Sequence, residues 1–318
     1  MNSPRRMILS MCMFAFGVTG AVSTAAEQLG EVIYKKNSLY NSIFIYQSGS
    51  IVSMKFGRQA GVHLQSQVDL DNPQQHLLEY TRMTFCGLLY KPEPKTMLVL
   101  GLGGGVIPSQ MRHYFPSMEI DVAEIDADVV PAATKFMGFK EDEKLKVTVD
   151  DGRMFIKKQL RRKPVPKYDM IILDAFNGDY IPFHLMTKEF LEEVKGVLAD
   201  DGVVIANVFF TNRLFDAEFK TFISVFGRSQ AFYGRHSGNA MIVSPGAKCE
   251  ILTLEKAVEN ARQLRQKLNL SFDVSAVAGM LRPNAQPEKK AKALTDDLAP
   301  VNWLKEQETE ELSEKTNP

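Results

Sequence analysis

The stretch "LVLGLGGGVIPSQM", Leu98 to Met111, decides how the rest of this chain is read. An apolar run of strand type breaks into four glycines within five positions, Gly101, Gly103, Gly104 and Gly105, and then continues as residues that suit a helix. A strand, a glycine turn and a helix N-terminus bring backbone N–H groups close to a ligand. Dinucleotides, nucleoside triphosphates and adenosyl sulfonium compounds all use such a place. A dinucleotide loop G-x-G-x-x-G counted from Gly101 needs Gly or Ala at Val106, and counted from Gly103 it needs one at Pro108, so both registers fail. No Gly-Lys-Ser/Thr follows to make a phosphate-binding P-loop. What survives is a looser loop suited to a nucleoside.

Outward from the loop, strands of buried type, "TMLVLGL", "EIDVAEID", "KVTVD", "DMIILDAF" and "GVVIANVF", alternate with helical segments around residues 106–114, 127–137, 152–161 and 187–198. Such alternation predicts a mostly parallel sheet with helices on both faces, a Rossmann-like α/β fold. "SQAFYGRH" and "NAMIVSP" flank a Ser237-Gly238-Asn239 turn and predict an antiparallel hairpin at the sheet edge. Before the glycine loop, short alternating runs between Glu31 and Val68 predict a small antiparallel β-sheet. A helix is expected from near Pro73, on the spacing of Leu77, Leu78, Met83, Phe85 and Leu88, and another from Leu254 to Leu268. The expected division is a signal peptide over 1–26, the β domain over 27–72, the nucleoside-binding domain over 73–248, a C-terminal helical segment over 249–304 and a disordered acidic tail over 305–318.

Open α/β sheets bind ligands at the carboxyl ends of their strands. Three acids stand there in order: Glu124 after "DVA", suited to accept from both ribose hydroxyls; Asp151 in "DDGRMF", suited to an adenine amine; and Asp174 closing "MIILD". Asp296 and Asp297 would add acidity if the C-terminal segment folds over these strand ends; Asp296 reads equally well as a turn cap. His184 and His236 lie near the same edge without metal-ligand spacing, and no metal is expected.

The series "LVLGLGGG", "VAEID", "VDDGRMFI" and "YDMIILDAF" resembles the spermidine synthase-like proteins, aminopropyltransferases on the S-adenosylmethionine-dependent methyltransferase fold. The resemblance implies that Gly101, Gly103 and Gly104 line a nucleoside pocket, that Glu124 holds the ribose and Asp151 the adenine, and that Gln65 approaches the cofactor. It places Tyr80 beside the substrate amine and makes Asp174 the catalytic acid. The donor so implied is decarboxylated S-adenosylmethionine or S-adenosylmethionine itself, the acceptor an amine or polyamine, and the assembly a homodimer. Two departures stand out. Where aminopropyltransferases read Asp-Ser-Ser-Asp-Pro this chain reads Asp174-Ala175-Phe176-Asn177-Gly178, leaving Asn177 and Asp179 to face the acceptor, and its first loop carries Gly105-Val106 in place of Asp-Gly. A methyltransferase and an exported, non-catalytic nucleoside-binding protein are the alternatives.

Lys plus Arg and Asp plus Glu both number 38, so net charge gives no electrostatic case for nucleic acid. The N-terminus has Arg5 and Arg6, an uncharged run from Met7 to Val22 and small residues before Glu27. That run is shorter than the roughly 20 residues a spanning helix needs, and the order predicts a secretory signal cleaved near Ala26, hence export with no stable membrane span. An uncleaved tether and a cytoplasmic location are the other readings. Cys86 and Cys249 would be the mature chain's two cysteines, read as buried thiols.

Overall fold

The computed structural model describes residues 29–57, 63–175 and 181–297. Alternation in the first segment produces strands that bury one face: β2 (Ser42–Ser48) turns Ile43 and Ile45 inward, and β3 (Ile51–Phe56) turns in Val52, Met54 and Phe56. With β1 (Glu31–Asn37) and β4 (His63–Asp69) they form a four-stranded antiparallel sheet in the order β1-β2-β3-β4.

The strands after the first sheet are apolar nearly throughout, because helices cover both faces. β5 (Thr96–Leu100), β6 (Glu119–Glu124), β7 (Leu145–Val149), β8 (Tyr168–Leu173) and β9 (Leu198–Phe209) pair in parallel. β10 (Gln230–Tyr233) and β11 (Asn239–Pro245) add the expected antiparallel hairpin, and the two residues of β12 (Leu281–Arg282) extend the edge. The order is β12-β10-β11-β9-β8-β5-β6-β7. After β5 the chain moves outward to β6 and β7, then returns to place β8 on the other side of β5. The glycine loop leaves β5 at that switch point, where α/β sheets open a crevice.

Helices α2 (Val106–Tyr114), α3 (Val129–Phe136), α4 (Gly152–Leu160), α5 (Lys188–Val197) and α7 (Leu254–Lys267) lie where the sequence predicts them. The helix expected from Pro73 is corrected: α1 covers only Glu79–Met83, and a 3-10 segment, Thr84–Leu89, follows. All six residues of that segment are buried, so its apolar spacing reports enclosure on every side and no 3.6-residue period. Two helices are additions to the sequence reading, α6 (Phe215–Phe226) and the short α8 (Val274–Ala278). α6 had a legible signal in Phe215, Phe219 and Phe222, three and four apart, closed by Gly227 in the left-handed conformation. Cys86 and Cys249 are both buried free thiols. Among the described residues no helix is long and apolar enough to cross a membrane; residues 1–26 lie outside them.

Candidate active site

The carboxyl ends of β5, β6, β8 and β9, with β4 above them, enclose a cavity of about 490 Å³, within the range of about 300–1,000 Å³ typical of small-molecule sites. Its floor is the glycine loop. Gly101 has φ +97° and accepts no side chain, because a Cβ there would collide with the carbonyl oxygen of Asp174. The contact brings the end of β8 against the end of β5, and Asp174 N–H closes it by donating to Leu100 O at 2.9 Å. Gly101 and Gly103 line the cavity. Gly104 does not: its N–H donates to Ser66 Oγ at 2.8 Å, fastening the loop to β4, and Met137 fills the space beside it.

Both acids expected to hold a nucleoside line the cavity. Glu124 is buried, which pushes its carboxyl above the ordinary range, against the hydrogen bonds that favour its ionised form. Oε1 accepts from Asp126 N–H at 2.9 Å and Oε2 from Leu102 N–H at 2.8 Å. Each oxygen keeps a second acceptor site, so the carboxylate still has two to offer a pair of hydroxyls. Asp151 caps α4 by accepting from Met154 N–H at 2.9 Å, and its other oxygen pairs with His184 Nε2 at 2.9 Å. The His184 bond is the main cause holding the Asp151 carboxyl below the usual range. The helix-cap and ligand-facing readings of Asp151 are therefore compatible. His184 is its hydrogen-bonding partner and lines the cavity with it.

At the other end, Asp174 sits half-buried with Tyr80 and Gln65 on the same wall. Desolvation pushes the Asp174 carboxyl up to about 7, opposed by the Asn207 side-chain amide, which donates to Oδ1 at 2.8 Å. Asn207 in turn accepts from the Asn239 amide at 2.9 Å. Sequence reading missed both asparagines; each is a polar residue at the open end of an otherwise apolar strand, Asn207 in β9 and Asn239 at the start of β11. The Tyr80 hydroxyl donates to the Gln65 carbonyl at 2.6 Å, and burial together with the nearby Asp174 charge raises its pKa, so it stays protonated.

Asp296 and Asp297 do not line the cavity. Asp296 instead pairs with Arg153 at 2.7 Å and accepts from Thr187 Oγ1 at 2.7 Å, pinning the C-terminal segment to α4 and α5. Asn177 and Asp179 lie outside the described residues. No cluster of His, Cys, Asp and Glu among the described residues is arranged to hold a metal ion.

Comparison with known proteins places this geometry. Residues 78–233 match the model of the spermine/spermidine synthase domain. A polyamine aminopropyltransferase of Vibrio vulnificus is 34% identical over 278 residues, covering 86% of this chain and 91% of that protein. Among solved structures, a probable spermidine synthase from Corynebacterium glutamicum superposes with a TM-score of 0.65 at 20% identity, over 85% of this chain and 98% of that one. Human methyltransferase-like protein 13 in complex with SAH superposes with a TM-score of 0.55 at 25% identity, over 60% of this chain and 92% of that one.

Proposed function

Because this chain belongs to the spermine/spermidine synthase family, we propose that its cavity transfers an aminopropyl group from decarboxylated S-adenosylmethionine to an amine acceptor. The observation that carries the reading is one cavity holding two kinds of acid. Glu124 and Asp151 keep acceptor capacity for a nucleoside behind the glycine loop, and Asp174 stands apart from them with a pKa near neutrality.

When bound, the donor supplies a carbon made electrophilic by the adjacent sulfonium. The chain's residues do the rest. Gly101 and Gly103 let a nucleoside approach the end of β5, Glu124 takes the ribose hydroxyls, Asp151 takes the adenine amine, and Gln65 bounds the donor from β4. An amine attacks only when neutral and in line, so the protein must hold it and remove one proton. Asp174, oriented by Asn207, accepts that proton as the new C–N bond forms and the C–S bond breaks. Tyr80, fixed by its bond to Gln65, bounds the direction of approach. A carboxyl near pKa 7 suits this task, since proton transfer is most effective when the pKa lies near the working pH.

Asp174→Asn is the direct test. Donor binding should survive while methylthioadenosine release falls by about 10²–10⁴-fold, the range for losing a general base. Undiminished release would overturn the role. A methyl-transfer reading draws on Asn177, which stands where polyamine-making relatives carry an acid; adenosylhomocysteine release measured in the same assay separates the two. We carry the division at residues 26, 72, 248 and 304 forward as part of this proposal, with residues 1–26 as an export signal supported by Arg5, Arg6 and the apolar run after them. A mature chain retaining Met1 would refute the export signal.

A further inference from the structure

The acceptor end of the cavity carries a second carboxylate to which the transfer reading gives no task. Glu79, the first residue of α1, lines the cavity beside Tyr80 and is only 8% exposed. Burying a carboxylate is costly unless donors surround it. Here the turn between β10 and β11 supplies three: Arg235 N–H donates to Oε1 at 3.1 Å, and His236 and Ser237 N–H donate to Oε2 at 2.9 and 2.8 Å. Burial pushes this carboxyl up, but the backbone donors outweigh it and the group sits below its ordinary range. Glu79 is therefore ionised at neutral pH, and Oε1, with one donor, keeps an acceptor site unused.

The same turn ties Glu79 to the reacting end. Ser237, which holds Glu79, precedes by two residues Asn239, whose amide bonds Asn207, whose amide bonds Asp174. Glu79 and Asp174 thus stand at two ends of one wall, with the apolar Leu78 and Phe209 also lining the cavity. Ser237 Oγ, on that wall, is buried without a hydrogen-bond partner. A monoamine needs one carboxylate at its nitrogen. A second, fixed and ionised, matches a second ammonium at the far end of an aliphatic chain.

We infer that Glu79 anchors the distal ammonium of an aliphatic diamine acceptor, supplying from α1 the charge that Asn177 does not. The inference rests on the transfer reading, with Glu79 as a binding residue and Asp174 as the proton acceptor.

The test compares 1,4-diaminobutane with 1-aminobutane as acceptors, in the full chain and in Glu79→Gln. The wild-type protein should favour the diamine in kcat/KM by at least about 10-fold, and Glu79→Gln should lower the diamine-to-monoamine ratio by about 10- to 100-fold, chiefly through the diamine's KM, on the scale of a hydrogen bond to a charged group. An unchanged ratio in a folded Glu79→Gln protein would reduce Glu79 to a clamp on the turn and overturn the inference. Wild-type protein without preference between the amines would overturn it with no variant needed. Calorimetric titration of each amine into protein saturated with 5′-methylthioadenosine separates this failure from failure of the transfer reading. Diamine binding that is lost in Glu79→Gln, in a protein with no turnover, upholds Glu79 and rejects transfer. Turnover with Glu79-independent diamine binding does the reverse, and neither binding nor turnover rejects both.

Discussion

Asp174 illustrates how one physical cause sets both chemistry and cost at a single residue. Water is excluded around it, so its neutral form is favoured and its pKa rises to about 7. Acting as a base requires the ionised form. The free-enzyme kcat/KM should therefore rise with pH through about 7 and level off above it; a rate already level from pH 5 would place the proton elsewhere. Glu124 makes a different contribution. Its oxygens are held by Leu102 and Asp126 and keep acceptor sites toward the cavity. Glu124→Ala should weaken methylthioadenosine binding by about 1.5–3 kcal/mol, the scale for losing partners of buried polar groups. Unchanged affinity by calorimetry would assign the nucleoside to other residues.

At the scale of an element, α6 carries an unusual load. Its Phe215, Phe219 and Phe222 pack in the core beneath β9, and Glu218 between them is 3% exposed with Oε2 unpartnered, in a small cavity lined by Leu173, Ala175 and Phe190. Desolvation alone pushes this carboxyl up to about 8. The folded protein holds Glu218 neutral, whereas the unfolded chain releases its proton in the ordinary carboxylate range, so Glu218 stabilises less and less as pH rises from about 4.5 to about 8. At about 1.36 kcal/mol per unit of pKa difference, the loss is on the order of 3–5 kcal/mol. Glu218→Gln should flatten this part of the dependence. Thermal melts at pH 5 and pH 8 should show a smaller difference for the variant than for the wild type; equal differences would mean that Glu218 ionises freely.

Across the whole molecule, the cavity exists because two sheets meet over one loop. Ser66 of β4 accepts from Gly104, the Gln65 carbonyl accepts from Tyr80, and the Ser38 hydroxyl donates to Asp126. A nucleoside bridging the glycine loop and β4 should therefore stabilise both sheets together. A ligand at 100 times its Kd adds about 2.7 kcal/mol, and for a domain of this size that is a rise of roughly 5–10 °C in Tm. Methylthioadenosine should produce the rise and NAD should not. A rise with NAD, or none with methylthioadenosine, would contradict the nucleoside reading.

Local chemistry by itself determined the strand and helix order, the glycine loop at the end of β5 and the acids at the ends of β6 and β8. Each of these follows from periodicity, backbone freedom or position along a strand, which are properties of neighbours in the chain. The helix expected from Pro73 failed because burial on all sides of Thr84–Leu89 mimics an amphipathic pattern. Asn207, Asn239 and Glu79 were not legible, since their meaning depends on partners 33, 32 and more than 150 residues away. Asp296 shows the same limit from the other side: its acidity was plain, but only folding decided that Arg153 would take it. Hydrogen bonds and desolvation act over a few ångströms in space, and tertiary packing alone brings such distant groups within that range.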